Sequence, residues 1–367
     1  MKRRYKIATG FLALVLVATG ALALVLSYTK PCPTAPAASA GTTPMKAITY
    51  RCYGAPDVLG LEDIDRPVPT DNQVLVKVHA ASVNPLDWHN LRGSPYIMRL
   101  GTGLGAPKNS RLGVDFAGVV EAIGKNVTKF KPGDAVFGGV TGAFGEYVVV
   151  SQDRAIVQMP ENATFEQAAS LPIAAITALQ ALRDKGQVEP GQKVLINGAS
   201  GGVGTFAVQI ARSMGAEVTG VCSTRNVDLV RSLGADHVFD YTQEDYTKSG
   251  QQFDVIVDMV SNHSLSANRR VLTPQGRLVI IGGMKGNWLG PLVNPVKAMI
   301  VSPVVGQDLG LMVAQMRQDD LETLAGLVRS GKLHGVIDRT YTLSEVADAI
   351  RYSEEGHARG KIVIKVE

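Results

Sequence analysis

The stretch KVLINGASGGVGTFAVQIAR, residues 193–212, sets Gly201, Gly202 and Gly204 between two apolar runs of different period. Glycines in that spacing suit one chemistry, the holding of phosphate. Gly201 lets the backbone turn towards a pyrophosphate, whose charge the free N–H groups of Gly202 and Val203 meet at the start of a helix. Gly204 leaves room for that helix to lie close to the preceding strand. A tight strand-to-helix turn without a ligand has the same local pattern. The flanks favour the ligand: Val194, Leu195 and Ile196 read as a buried strand, and Phe206, Ala207, Ile210 and Ala211 recur at helical spacing. Strand, glycine turn and helix open a dinucleotide-binding βαβ unit.

The second strand of that unit, residues 217–221, runs into Cys222-Ser223-Thr224-Arg225. An acid about 20 positions after the glycines would hold the ribose 2′-hydroxyl of NAD. Ser223 stands there instead, and Arg225 can pair with a 2′-phosphate. The other role for Arg225 is a surface charge opening a helix over residues 226–233. The missing carboxylate favours NADPH. Buried-strand runs at residues 253–258 and 277–281 end at Met259-Val260 and Gly282-Gly283-Met284. Ligands collect at such carboxyl ends, so Gly282 and Gly283 are expected to flank the cofactor's ribose and nicotinamide.

Positioning these groups takes more chain than one such unit, and 367 residues allow about two domains. A hydrophobic content of 45% suits an α/β enzyme with a large core. The net charge of +4 comes from the N-terminus, where Lys2, Arg3, Arg4, Lys6 and Lys30 precede the first acid, Asp57. The other 32 basic residues face 33 acidic ones, which argues against a nucleic-acid partner. Cys32, Cys52 and Cys222 are odd in number, far apart and without a CxxC, excluding a disulfide framework and a thiol-rich zinc site.

Residues 7–28 form an uninterrupted apolar and small-residue run, long enough at ~1.5 Å per residue to cross a ~30 Å hydrocarbon layer. The hydrophobic part of a cleavable signal is shorter, about 7–15 residues. Ala38-Ser39-Ala40, a conceivable cleavage site, lies far beyond the run. An uncleaved single-pass membrane anchor is the favoured reading. Four preceding cations put the N-terminus in the cytoplasm and the body outside. A mainly cytosolic supply of nicotinamide cofactor argues for the opposite side, so the side stays open. Residues 29–44, rich in Pro, Ala, Ser and Thr, read as an extended linker.

From residue 45 to about 155 the chain reads as short strands at 46–50, 74–80, 118–123, 135–137 and 146–150, punctuated by Gly and Pro, as in a compact β-barrel. Within it ASVNPLDWHNLRG, residues 81–93, and RLGVDFAGVVEAIG, residues 111–124, join the glycine stretch with Gly191-Gln192, Leu195, Ala199-Ser200-Gly201-Gly202, Gly204, Gln209 and Arg212. On these segments the chain from Met45 to Glu367 resembles the zinc-independent medium-chain dehydrogenase/reductases. It is most similar to their quinone oxidoreductase branch and to the reticulon-interacting NADPH oxidoreductases.

The resemblance implies an α/β fold in which a GroES-like catalytic domain, residues 45–163 completed by 312–367, accompanies a Rossmann domain of doubly wound parallel sheet, residues 164–311. With residues 1–44 as anchor and linker, one N-terminal transmembrane helix precedes them. It also implies that Ser200 belongs to the cofactor turn, that Thr177 lies near the nicotinamide, and that Tyr241 lies beside the adenosine 2′-phosphate. Gly360 and Lys361 match a motif that reaches the cofactor. Tyr241 could equally be an aromatic at a strand end, and Lys361 a solvated strand-end charge. Where zinc-using relatives carry metal ligands this chain has Asn84, Val114-Asp115 and the stretch near Ala174; valine cannot ligate, and an amide does so poorly.

Without a metal, a substrate carbonyl must be polarised by hydrogen-bond donors. Asn84 matches a family asparagine and is the candidate, its alternative role being a cap before Pro85. His89 stands where quinone oxidoreductases carry a tyrosine and is either a general acid or a solvated loop histidine. Trp88 and Tyr96 line the pocket or fill core, and the long loop of residues 91–112 suggests a lid. Residues 288–305 line the pocket, a dimer contact or the core. Thr164 and Gln167 form a capping box for a helix running towards Arg183, and Thr342 with Glu345 another.

The expected activity is NADPH-dependent hydride transfer to an α,β-unsaturated carbonyl or a quinone. The alternatives are aldehyde or ketone reduction and a non-catalytic, membrane-tethered NADPH-binding protein. A small-molecule substrate, membrane contact through the N-terminal helix and a homodimer are the expected partners.

Overall fold

The computed structural model describes residues 17–34, 43–283, 286–288 and 290–366. β1 (Pro44–Thr49) and β2 (Gly60–Asp65) form an antiparallel pair. β3 (Gln73–Val83), β4 (Asp115–Ile123), β5 (Ala135–Gly139), β6 (Tyr147–Ser151) and β7 (Ile156–Gln158) make up most of a seven-stranded sheet. Runs of valine and alanine make β3 the longest described strand and bury most of it, and it pairs with β4 on one edge and β6 on the other.

The second sheet is parallel. β8 (Lys193–Asn197), β9 (Glu217–Cys222), β10 (His237–Asp240), β11 (Phe253–Asp258), β12 (Leu272–Ile280) and β13 (Asp308–Leu311) follow the order β10-β9-β8-β11-β12-β13. The order reverses between β8 and β11, the kind of place where ligand crevices open. Asn197 pairs with Val221 and with Asp258, and Asp258 with Ile280. This register brings the glycine turn, Ser223 and Gly282 to one edge.

The chain then returns. β14 (Ile337–Thr342) and β15 (Lys361–Lys365) join the first sheet, and β15 lies antiparallel to β3 with Ile362 opposite Val83. One core fills the space around the glycine-turn helix with Phe206, Ala207, Ile210, Leu321 and Leu324. Another fills the barrel with Val76, Val78, Phe116, Phe144 and Ile364.

Four sequence expectations change. The helix expected from Thr164 to Arg183 has its capping box, with Thr164 accepting from Gln167 N and Gln167 from Thr164 N. It is nevertheless two helices, Phe165–Ala169 and Pro172–Gln180, because Pro172 cannot continue the first ladder. Residues 288–305 are only partly core: their helix, Val293–Val301, buries Pro295 and Ala298, with Val301 and Val305 packed on the same cluster, but leaves Val296, Met299 and Ile300 exposed.

The third correction concerns cysteine. Cys32 and Cys52 form a disulfide, with Cα atoms 4.9 Å apart, so distance in sequence did not keep them apart in space. Fourth, the expected extended linker is docked over its first residues, with Lys30 N donating to Gly105 O at 2.7 Å and Thr29 bridging to Gly105. Residues 7–16 of the apolar run lie outside the described residues. Of its described part, residues 17–27 are helical, and among the described residues no helix is long and apolar enough to cross a membrane.

Candidate functional site

The glycine turn is built by β8 and the helix Gly202–Ser213. The left-handed residue is Gly198, at φ 92°, whereas Gly201 has φ −83° and caps the helix in a conformation open to any residue. The chain therefore turns at Gly198, three residues before the Gly201 expected from the spacing. Gly204 acts as expected: a Cβ there would overlap the Gly198 carbonyl and the Ala199 backbone. The N–H groups of Gly202, Val203 and Gly204 occupy the first helical positions, where no carbonyl of the same helix can accept them. They form a cradle for anionic oxygen.

The second strand's end supplies the neighbouring wall. Asn226 donates to Ser200 Oγ at 3.0 Å and Ser223 Oγ at 3.2 Å, which ties the glycine turn to the end of β9. Its own Oδ1 is buried without a protein partner. A buried acceptor left unpaired beside two hydroxyls fits a ligand that brings donors, such as a ribose. Thr224 donates to Asp240 Oδ2 at 2.6 Å, Arg225 is exposed and reaches His357 O, and Tyr241 is exposed beyond β10. Asp240 was missed in the sequence because its strand had to fold beside β9 before its carboxylate met Thr224. On the other side of the switch point, Ser261 is held at φ 54°, its N–H bonded to Asp258 and its hydroxyl to Gly282 O. That contact fixes the Gly282-Gly283 loop.

The two domains meet at the turn. Gly360 forms an isolated parallel bridge with Gly201, and the Lys361 stem lies against Gly202. Lys361 is no solvated charge. It is 3% exposed, and its Nζ donates to Asn84 Oδ1 at 2.7 Å and Val83 O at 2.9 Å. Asn84 passes the interaction on, its Nδ2 donating to Asp115 Oδ2 at 2.8 Å, while Lys361 Nζ itself stands 3.8 Å from that oxygen. Ser82 Oγ and Ile173 N also donate to Asp115. Burial depresses the Lys361 ammonium and raises the Asp115 carboxyl, each opposing the attraction of the other. The acid Asp115 inside the apolar run LGVDFAGVV is the sequence mark of this cluster.

The sequence-predicted catalytic pair is committed elsewhere. Asn84 is 1% exposed, and its amide hydrogens point to Asp115 and to Ser82 O. It links the buried ions and has no free hydrogen for a substrate carbonyl. Its alternative role is the one found: Asn84 is the N-cap of the helix Pro85–Arg92, in a capping box in which Asp87 Oδ2 accepts from Asn84 N at 2.7 Å. His89 is half-buried against Trp88, with Nδ1 2.6 Å from Ser94 O. Since a carbonyl only accepts, Nδ1 carries the hydrogen and the neutral ring shows an unprotonated Nε2. Burial also lowers its pKa, so it is a poor acid near neutrality. Thr177 donates to Ile173 O at 2.6 Å from a buried helix, with lone pairs left to accept.

Asp87 yields a pH prediction. Burial pushes its carboxyl up to about 7 against the lowering effect of the Asn84 and Gly113 N–H bonds. The unfolded chain releases that proton near 3.9, so between about 4 and 7 folding takes up a proton and stability falls as pH rises. Asp87→Asn should flatten urea-unfolding stability across this window, while losing about 1–3 kcal/mol for an unmet N–H. An unchanged slope from pH 4 to 7 would count against the protonated carboxyl.

Among the described residues, no three His, Cys, Asp or Glu side chains are grouped to hold a metal ion. A surface depression of about 500 Å³ beside Arg269, Arg270 and Gln307 lies away from the domain seam. The alcohol dehydrogenase GroES-like domain matches residues 70–161, and the zinc-binding dehydrogenase domain matches residues 233–364. The chain is 34% identical over 339 residues to the chloroplast envelope quinone oxidoreductase homolog of Arabidopsis thaliana, covering 88% of this chain and 98% of that protein. It is 36% identical to the mitochondrial NAD(P)H oxidoreductase RTN4IP1 of Mus musculus, over 89% and 91% of the two chains. The solved quinone oxidoreductase from Coxiella burnetii superposes with a TM-score of 0.77 at 33% identity, covering 89% of this chain and all of that one. With a parallel sheet that carries a phosphate cradle, and a barrel closed by the returning chain, the protein belongs to the quinone oxidoreductase-like branch of the medium-chain dehydrogenase/reductases.

Proposed function

We propose that the protein is a membrane-anchored reductase that moves a hydride from NADPH to a quinone or an α,β-unsaturated carbonyl without a metal. The observation that carries this reading is the domain seam, where Gly360 meets the phosphate cradle and Lys361 leads into an ammonium, amide and carboxylate cluster. That cluster fills with internal ion pairing the place where a metal site would need free ligands, and Val114 beside it has no ligating atom. The names of the relatives support the quinone as substrate class.

The cofactor, once bound, supplies the hydride. The chain's residues do the rest. Gly202, Val203 and Gly204 hold the pyrophosphate, Asn226 and Ser223 the ribose, and Thr177 offers an acceptor to the nicotinamide end. With Asn84 and His89 bonded within the protein, the proton that completes the hydroquinone comes from water. The absence of a carboxylate at Ser223 and the exposed Arg225 support NADPH. Asp240, one hydroxyl away, supports a second reading in which NADH is also accepted.

The apolar run of residues 7–28 supports the anchor, and the Cys32–Cys52 disulfide supports an oxidising side of the membrane. Protease protection on intact cells tests that side. NADPH oxidation with 1,2-naphthoquinone should proceed undiminished in EDTA, and loss of activity there overturns the metal-free reading. Arg225→Ala should raise KM for NADPH about tenfold with little effect on NADH, as expected for one lost charge-assisted contact. Equal effects on the two cofactors overturn the 2′-phosphate assignment.

A further inference from the structure

The segment just after residue 25 is bound to one loop of the barrel. Arg99, 3% exposed, donates from Nη1 to Leu26 O at 3.0 Å, Tyr28 O at 2.9 Å and Thr29 Oγ1 at 3.2 Å. Its other nitrogens hold Gly93 O and Arg92 O, and its plane lies over Tyr53 and Tyr96. Among the described residues no carboxylate is bonded to it, and this buried cation is spent on backbone carbonyls, a hydroxyl and ring faces. The Lys30–Gly105 bond and the disulfide to Cys52 extend the attachment to residue 32.

The same loop closes on the cofactor side of the cleft. Ser94 Oγ donates to Asn287 Oδ1 at 2.7 Å and Tyr96 N to Asn287 O at 2.8 Å, and the Tyr96 ring meets the edge of Trp288. Asn287 and Trp288 follow the Gly282-Gly283 loop. One short piece of chain is thus held by the anchor-proximal segment at one end and by the cleft at the other.

A free linker of residues 29–44 would let the body wander by about 20–24 Å root mean square. The disulfide and Arg99 leave almost none of that freedom between residues 27 and 32. The surface so held is apolar: Leu24, Val25, Tyr28, Ile97, Leu100 and Leu104 are each about half exposed or more. Tyr28 and Gly105 lie in contact range, which makes the two groups neighbours. The apolar run of residues 7–28 runs directly into this patch.

We propose that residues 26–32 form a strap that seats the short helical segment 96–104 in the lipid interface, so that the cleft opens at the bilayer surface and draws a lipid-dissolved quinone from it. This rests on the anchor and quinone-reductase readings above. The occupant of the patch is the bilayer, since the neighbouring chain is the one that would enter it.

The test uses the full chain in phosphatidylcholine–phosphatidylglycerol vesicles, assayed with NADPH and either a long-tailed isoprenoid quinone in the lipid or a short water-soluble quinone. The double variant Leu100→Asp/Leu104→Asp should reduce the water-soluble quinone like wild type and the lipid-borne one about tenfold more slowly. Cys32→Ser, which frees the strap, should slow the lipid-borne reaction at least about threefold by relaxing the tether. An unchanged rate on the lipid-borne quinone in either variant overturns the proposal. Vesicle flotation and wild-type turnover of the soluble quinone are read separately. Failure to float sinks the anchor, and no turnover of the soluble quinone sinks the reductase reading, each taking the strap proposal with it.

Discussion

Lys361→Met should destabilise the protein by about 3–5 kcal/mol, the cost of breaking a buried ion cluster by removing one charge. Methionine keeps most of the stem's volume, so the loss is electrostatic. It leaves Asp115, which is fully buried, with donors but no cation, and it removes the donor to Val83 O. A second substitution, Asp115→Asn, neutralises the orphaned charge and should recover a large part of the loss. Urea unfolding at pH 7 measures both. A single variant within 0.5 kcal/mol of wild type, a margin typical of plain surface substitutions, would refute the cluster's role. So would a double variant no better than the single one. Because Lys361 also lies on Gly202, the folded fraction of the single variant should bind NADPH more weakly.

Gly204→Ala should abolish measurable NADPH binding and cost about 1–3 kcal/mol or more of stability, as overpacking does. The added Cβ meets backbone atoms, the Gly198 carbonyl and Ala199, which cannot rotate away. The helix must lift from β8, and the N–H cradle moves with it. Gly201→Ala is the contrasting case. With φ −83° and only Gly198 O at 3.4 Å, it accepts a methyl group in ordinary contact. Nicotinamide fluorescence titration of the two variants decides the matter, and equal affinities would show that close helix–strand approach is not what the turn requires.

Much of the fold was legible in local pattern. The parallel strands, the glycine turn and both capping boxes follow from nearest-neighbour preferences and periodicity, which act over a few residues. Pro172 shows the limit of periodicity alone, since the helical pattern ran on across a residue that breaks the ladder. The site divided differently. Gly204 and Ser223 were readable because a strand-turn-helix unit carries its own geometry. Asn84 and His89 were chosen by type and position, and the surrounding chain decided their hydrogen-bond partners.

Residue types and spacing alone were enough for a glycine-rich strand-to-helix turn, no carboxylate at Ser223, no ligating atom at Val114 and an apolar run before the body. Only the tertiary structure decided that Lys361 meets Asn84 across 277 residues, that Cys32 reaches Cys52, and that Arg99 grips the segment after residue 25. The reason is physical. Residue type and spacing set what a short segment can do, whereas burial, which makes an ion pair strong or an amide unavailable, depends on what the rest of the chain places beside it.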